Sequence, residues 1–346
     1  MLGPTCPSRR MGFLLIGLSL GACDGSKRLV IGAEMELVLA GLSAVDPSTV
    51  GAFEVWLHTA EGDKVSVGRL TSLPTERGVE YSFPFRLSVG KPVGISVTLE
   101  PPGDQDPQPS PYVLLAGDFR GAGALLTIEG QVTDSMPLEP EPGAHSLFTS
   151  SNNIAFGYPS MENSGLWMFN IRRKLNKHGT REVHVTPLKP SWLYEGWIVQ
   201  DFGTADEIWI PFGKFRPDKL GLLSSRDDTG SGPFSSDEDY LNGGVEDVPG
   251  EEWTTSKVAD QLGVRLPGDL DLPLALDAVD PETGEAVWTH VMTIEPAFDE
   301  GEPLYADRPF ILRPYRNPIG EGRPGDGRVI KFYEAELPRA EARIRR

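Results

Sequence analysis

The chain has 346 residues, of which 50 are acidic and 32 basic, for a formal net charge of -18. A surface of that sign repels phosphate backbones and anionic headgroups, which excludes nucleic-acid binding and membrane attachment through a basic patch. The length exceeds what one hydrophobic core usually serves and implies about two domains. Its 39 glycines and 31 prolines, about a fifth of the chain, suit short strands joined by turns.

In chain order, residues 1–22 read as an export signal. Arg9 and Arg10 supply the basic flank, Phe13 to Leu20 form an apolar run too short to span a bilayer, and Leu20-Gly21-Ala22-Cys23 closes it. The closing tetrapeptide resembles the bacterial lipobox, which implies that Cys23 is the lipidated first residue of the mature chain and the link to the membrane. Removing Arg9 and Arg10 leaves 30 basic against 50 acidic residues, a mature net charge of -20. Cys6 leaves with the signal and Cys23 carries lipid, so the folded part has no thiol for a disulfide, a zinc ligand or a nucleophile.

Residues 23–28 are a short polar tether, and 29–134 a first domain of strands. Phe53-Glu54-Val55-Trp56-Leu57-His58 alternates, with Phe53, Val55 and Leu57 on one face and Glu54, Trp56 and His58 on the other. Glu61-Gly62-Asp63 turns the chain back through Lys64 to Val67, a hairpin. Further strands run over Phe83 to Leu87, Val93 to Leu99, Tyr112 to Gly117 and Ala124 to Ile128, with Pro101 and Pro102 stopping the second of them. Residues 135–145, rich in Pro and Glu, read as a stiff spacer.

Residues 146–319 make the second domain, because the marks of the first recur there in order. Phe53-Glu54-Val55-Trp56, Gly68-Arg69-Leu70 and Val97-Thr98-Leu99-Glu100-Pro101 are echoed by Tyr194-Glu195-Gly196-Trp197, Gly213-Lys214-Phe215 and Met292-Thr293-Ile294-Glu295-Pro296. Gly213 and Glu295 lie 82 positions apart against 32 for Gly68 and Glu100, so an insertion of roughly 50 residues sits within about 222–285. The tail, 320–346, turns Gly-rich and then basic and reads as loosely ordered. The expected fold is all-β, two tandem antiparallel β-sandwich (Ig-like) domains behind a lipoprotein signal peptide.

The order of these marks, with a Pro/Asp/Gln loop and then Val113-Leu114-Leu115-Ala116-Gly117, resembles the extracytoplasmic C-terminal domain of the anti-sigma-K factor family. The resemblance covers about residues 30–130, and the second copy repeats it more faintly. It implies a β-sandwich in the cell envelope. Sigma-restraining members place a cytoplasmic helical domain and a membrane-spanning helix before this module. Here the module follows the lipobox directly, so a sensor or interaction module without the sigma-binding part is expected, with an envelope protein as partner.

Candidate chemistry reduces to a few groups. Glu100 and Glu295 could act as the acid and base of a hydrolase, but equivalent places in two repeat copies favour strand-end glutamates bonded to backbone donors, and the same reading covers Glu54 and Glu195. Gly68, Gly213, Pro101 and Pro296 are structural marks of the repeat. Trp56 and Trp197 are packing residues or, if exposed, a sugar or peptide platform. Asp227, Asp228, Asp237, Glu238 and Asp239 offer oxygen ligands for calcium but lack the D-x-D-x-D-G register, and a solvated acidic loop is the preferred reading. His58, His145, His178, His184 and His290 form no H-x-x-x-H or H-E-x-x-H spacing and meet no G-x-S-x-G elbow. A non-catalytic protein without cofactor or metal is expected; the alternative is an envelope hydrolase or glycan-binding protein with its site in the 222–285 insertion.

Overall fold

The structure is a computed structural model that describes residues 32–48, 50–70, 79–86, 91–140, 144–148, 165–169, 185–215, 270, 274–297, 309–321 and 328–345. These residues are almost entirely β. The strands are β1 (Gly32–Ala40), β2 (Ala52–Thr59), β3 (Lys64–Leu70), β4 (Val79–Arg86), β5 (Pro92–Glu100), β6 (Val113–Asp118), β7 (Gly123–Leu126), β8 (Ala144–Phe148), β9 (Gly165–Phe169), β10 (Trp192–Gln200), β11 (Ile208–Phe215), β12 (Trp288–Pro296), β13 (Leu312–Pro318), β14 (Arg328–Val329), β15 (Lys331–Phe332) and β16 (Arg339–Arg345). They form four antiparallel sheets in the orders β4-β1-β16-β7, β3-β2-β5-β6, β11-β10-β12-β13-β15 and β14-β8-β9.

Period-two alternation builds the first pair of sheets. Phe53, Val55 and Leu57 of β2 and Ile95, Val97 and Leu99 of β5 face Met35, Leu37 and Leu39 of β1 in one core. Backbone bonds in both directions between Ala116 of β6 and Thr127, the residue after β7, tie the two sheets at that edge. Gly117 permits this closeness, since a Cβ there would lie 2.0 Å from the Leu125 carbonyl oxygen.

The sheet of the second copy repeats the pairing of the first. Phe53, Glu54 and Val55 face Leu70, Arg69 and Gly68, then a bulge shifts the register before Trp56. Tyr194, Glu195 and Gly196 face Phe215, Lys214 and Gly213, and a bulge falls before Trp197. On the other side Glu54 faces Thr98 and Glu195 faces Thr293. The recurring glycine belongs to the bulge: Gly68 has φ +154°, and a Cβ there would press on the Phe83 ring at 2.9 Å.

Two expectations from sequence are corrected here. The basic end of the tail is not loosely ordered: β16 lies inside the first sheet, pairing with β1 from Glu34–Arg345 to Ala40–Arg339 and with β7 on its other edge. Its sequence, RAEARIR, alternates. Ala340 and Ala342 are buried in the core, while Arg339, Glu341, Arg343 and Arg345 are exposed, and Arg345 Nε pairs with Glu36 at 2.6 Å. A charged count read as a solvated tail therefore hid a strand whose inner face carries two alanines and one half-buried isoleucine, Ile344. The Pro/Glu stretch, in turn, packs against its surroundings instead of acting as a spacer, because Leu138 is wholly buried and the Glu139 N–H donates to Thr186 Oγ1 at 2.7 Å.

Both repeat copies contribute to one continuous core. Trp192, Tyr194, Met292, Ile294, Leu312 and Tyr315 cluster with the apolar rows of β1, β2 and β5. Phe310 bridges them, its ring 6.5 Å from Phe53 and 5.9 Å from Trp192. Tyr112 donates to the Ala297 carbonyl at 3.0 Å, Lys189 N–H to that of Val132 at 2.8 Å, and Thr133 Oγ1 to that of Pro187 at 2.8 Å.

Candidate functional site

The face of each repeat sheet turned away from the shared core carries the polar residues that the sequence singles out. In the first copy the Trp56 indole donates to Thr98 Oγ1 at 2.8 Å. Thr98 in turn donates to Glu100 Oε1, and that carboxylate accepts the Ser110 N–H at 3.2 and 3.0 Å. The second copy repeats every step. Trp197 Nε1 donates to Thr293 Oγ1 at 2.9 Å, Thr293 donates to Glu295, and Glu295 accepts the Phe310 N–H at 2.9 and 3.1 Å.

Each link follows from local geometry. Tryptophan and threonine sit on neighbouring strands and on one face, two register pairs apart, within reach of a buried indole that needs an acceptor. Threonine and glutamate are two residues apart on one strand, so their side chains share a face. Pro101 and Pro296 follow the glutamates where the strands end, and the carboxylates then take an N–H from the residue that leads into the next strand. All six side chains are buried, Trp56, Thr98 and Glu100 at 2%, 0% and 1% exposure and Trp197, Thr293 and Glu295 at 0%. Burial pushes the Glu100 carboxyl up from its ordinary range, the bonds from Thr98 and Ser110 pull it back, and the charges of Glu54 and Asp104 add to the rise.

Glu54 is also engaged: Ser66 Oγ donates to it and Arg69 Nε pairs with it at 2.9 Å, while Arg69 Nη2 lies 3.9 Å from Asp104. In strand register Glu195 is paired with Lys214, as Glu54 is with Arg69. The tryptophans are packing residues, since neither exposes a platform. Glu100 and Glu295 belong to separate sheets and are not brought together as an acid–base pair; each lies within its own relay.

The two faces diverge beyond the relay. In the second copy Trp197 stacks edge-on against Trp209 at 5.7 Å, Phe202 against Trp209 at 5.8 Å, and Arg313 lies 4.4 Å over the Trp209 ring. Arg316 lies 3.7 Å over Tyr333 and pairs with Glu336 at 2.6 Å. In the first copy the corresponding region is polar, and His58 Nε2 lies 2.9 Å from Ser96 Oγ. Burial and then Lys64 hold the His58 imidazole below its usual pKa, while Asp118 acts in the opposite sense. His290 is fully buried in β12 opposite Ile198.

Cys23, Asp227, Asp228, Asp237, Glu238, Asp239, His178 and His184 lie outside the described residues. Of the 222–285 segment, the described end packs Leu274 and Leu276 into a second apolar cluster with Ile198, Ile210 and Trp288, and Asp280 accepts the N–H groups of Glu282 and Thr283 in a turn. Among the described residues no three Asp, Glu, His or Cys side chains converge as a metal site, and no helix is long and apolar enough to cross a membrane. The sequence reading did not single out Ser66, Ser96, Ser110 or Asp118. Thr98 and Thr293 were legible, since both stand inside the repeated pentapeptide. No protein-family profile, curated protein or solved structure matches the chain.

Proposed function

We propose that this protein is a lipid-anchored cell-envelope protein that works by binding a protein partner and not by catalysis. Its two repeat copies act as extracytoplasmic modules of anti-sigma-K type and dock with a membrane-anchored regulator built from the same module. The observation that carries the reading is the duplicated relay. The carboxylates a hydrolase would need, Glu100 and Glu295, are buried and bonded to threonine and backbone donors in the same way twice. A carboxylate so held lacks the open approach that proton transfer to a substrate requires. The envelope assignment rests on Leu20-Gly21-Ala22-Cys23 behind a short apolar run and on the acidity of the mature chain, which leaves attachment to acyl chains.

Mass spectrometry of the full chain expressed in a bacterium tests the anchor. A mature N-terminus at Cys23 carrying acyl mass is the expected product, and an intact Met1 contradicts it. Binding without turnover is tested on the same protein with ester, peptide and glycoside substrates. A turnover lost in Glu295→Gln would reverse the assignment.

A further inference from the structure

The repeat provides an internal comparison. What both copies keep on the outer face serves the fold, and what one copy alone carries is free for another use. One row of residues across all four strands differs at every position. In the first copy it reads Lys64, His58, Gly94, Asp118 through successive strand pairs. In the second the same pairs give Trp209, Val199, Thr289, Pro318. The next row places Ser96 where the second copy has Val291. The fold is therefore built without the imidazole, the carboxylate or the gap between them.

In the first copy those three features occur together. Gly94 is buried beneath its neighbours, and a Cβ at that position would lie 3.4 Å from both His58 Nδ1 and Asp118 Oδ1. The two atoms thus converge on the space that the glycine leaves vacant, a space that Thr289 fills in the other copy. Ser96 Oγ, 2% exposed as a residue, holds the opposite ring nitrogen, Nε2, at 2.9 Å. With the Nε2 proton donated to Ser96, Nδ1 presents its lone pair to the gap. That is how metal-binding histidines are oriented, by a hydrogen bond on the nitrogen that does not ligate. Asp118 is exposed, with its Oδ1 already directed to the gap.

We propose that His58 Nδ1 and the Asp118 carboxylate, converging over Gly94, bind a divalent transition-metal ion of the zinc or copper type. Imidazole with a carboxylate suits these ions, whereas calcium and magnesium take oxygen ligands. Two protein ligands leave the remaining coordination positions to water or to a ligand from a partner, so the ion is exchangeable. Lys64, exposed at the end of the row beside His58, opposes a cation and keeps the affinity modest. The proposal does not depend on the envelope assignment.

Calorimetric titration of the full chain with zinc and with copper, in the presence of excess calcium, tests it. His58→Ala, Asp118→Asn and Gly94→Thr should each weaken binding at least tenfold, and Lys64→Ala should strengthen it, with calcium having no effect. Gly94→Thr is the decisive variant, because it installs the second copy's residue, leaves both ligands in place and preserves a strand pairing that already accepts threonine. Absence of zinc and copper binding by the parent chain, or unchanged binding in folded Gly94→Thr, would overturn the site.

Discussion

Thr98 and Thr293 each stand between an indole donor and a carboxylate, accepting from one and donating to the other. Replacing either by valine keeps the shape but leaves a buried indole N–H without its acceptor, so Thr98→Val and Thr293→Val should each cost about 1–3 kcal/mol in denaturant unfolding. Equal costs are expected because the two relays match. A negligible cost at both would remove their structural role. Glu100 adds a pH signature. Its folded pKa is raised, so the folded chain holds this proton to higher pH than the unfolded chain does. The stability this gives is complete below the unfolded value, about 4.3, and is lost as pH rises through the folded value. Glu100→Gln should therefore cost more at pH 4 than at pH 7, by unfolding measured at both. The opposite order would mean that the hydrogen bonds outweigh burial.

At the scale of elements, β16 completes the first sheet from the far end of the chain. Seven register pairs to β1 and four to β7 leave both neighbours as open edges if it is absent. A chain ending at Pro338 should aggregate or lose cooperative unfolding, and a synthetic peptide of residues 339–346 should restore solubility and cooperative unfolding. A truncated chain as stable as the parent would deny β16 its place. This strand also shows where sequence reading fails. The alternation of Phe53, Val55 and Leu57 against Glu54, Trp56 and His58 exposes a strand because large apolar groups mark its inner face. In RAEARIR the buried inner positions are Ala340 and Ala342, and the one large apolar group on that face, Ile344, is half-buried at its end, so no run of large side chains marks it. The relay was legible for a different reason: its members repeat at fixed spacing in both copies. His58, Gly94, Ser96 and Asp118 do not repeat, and they come from three strands that only sheet pairing aligns.

For the whole molecule, an internal repeat on a chain of this length suggests two modules on a spacer, yet the copies bury their inner faces against each other. Phe310 follows the second relay and fills the space between Phe53 and Trp192, so the segment that Glu295 anchors is also the one that joins the copies. A shared core predicts one cooperative unit, and truncating Trp192 to alanine should destabilise both copies together, by about 3–5 kcal/mol. Differential scanning calorimetry of the parent chain and Trp192→Ala is the most direct measurement of this claim. One transition whose calorimetric and van't Hoff enthalpies agree, shifted as a whole by the substitution, is the predicted result. Two resolved transitions, of which Trp192→Ala moves only one, would contradict it.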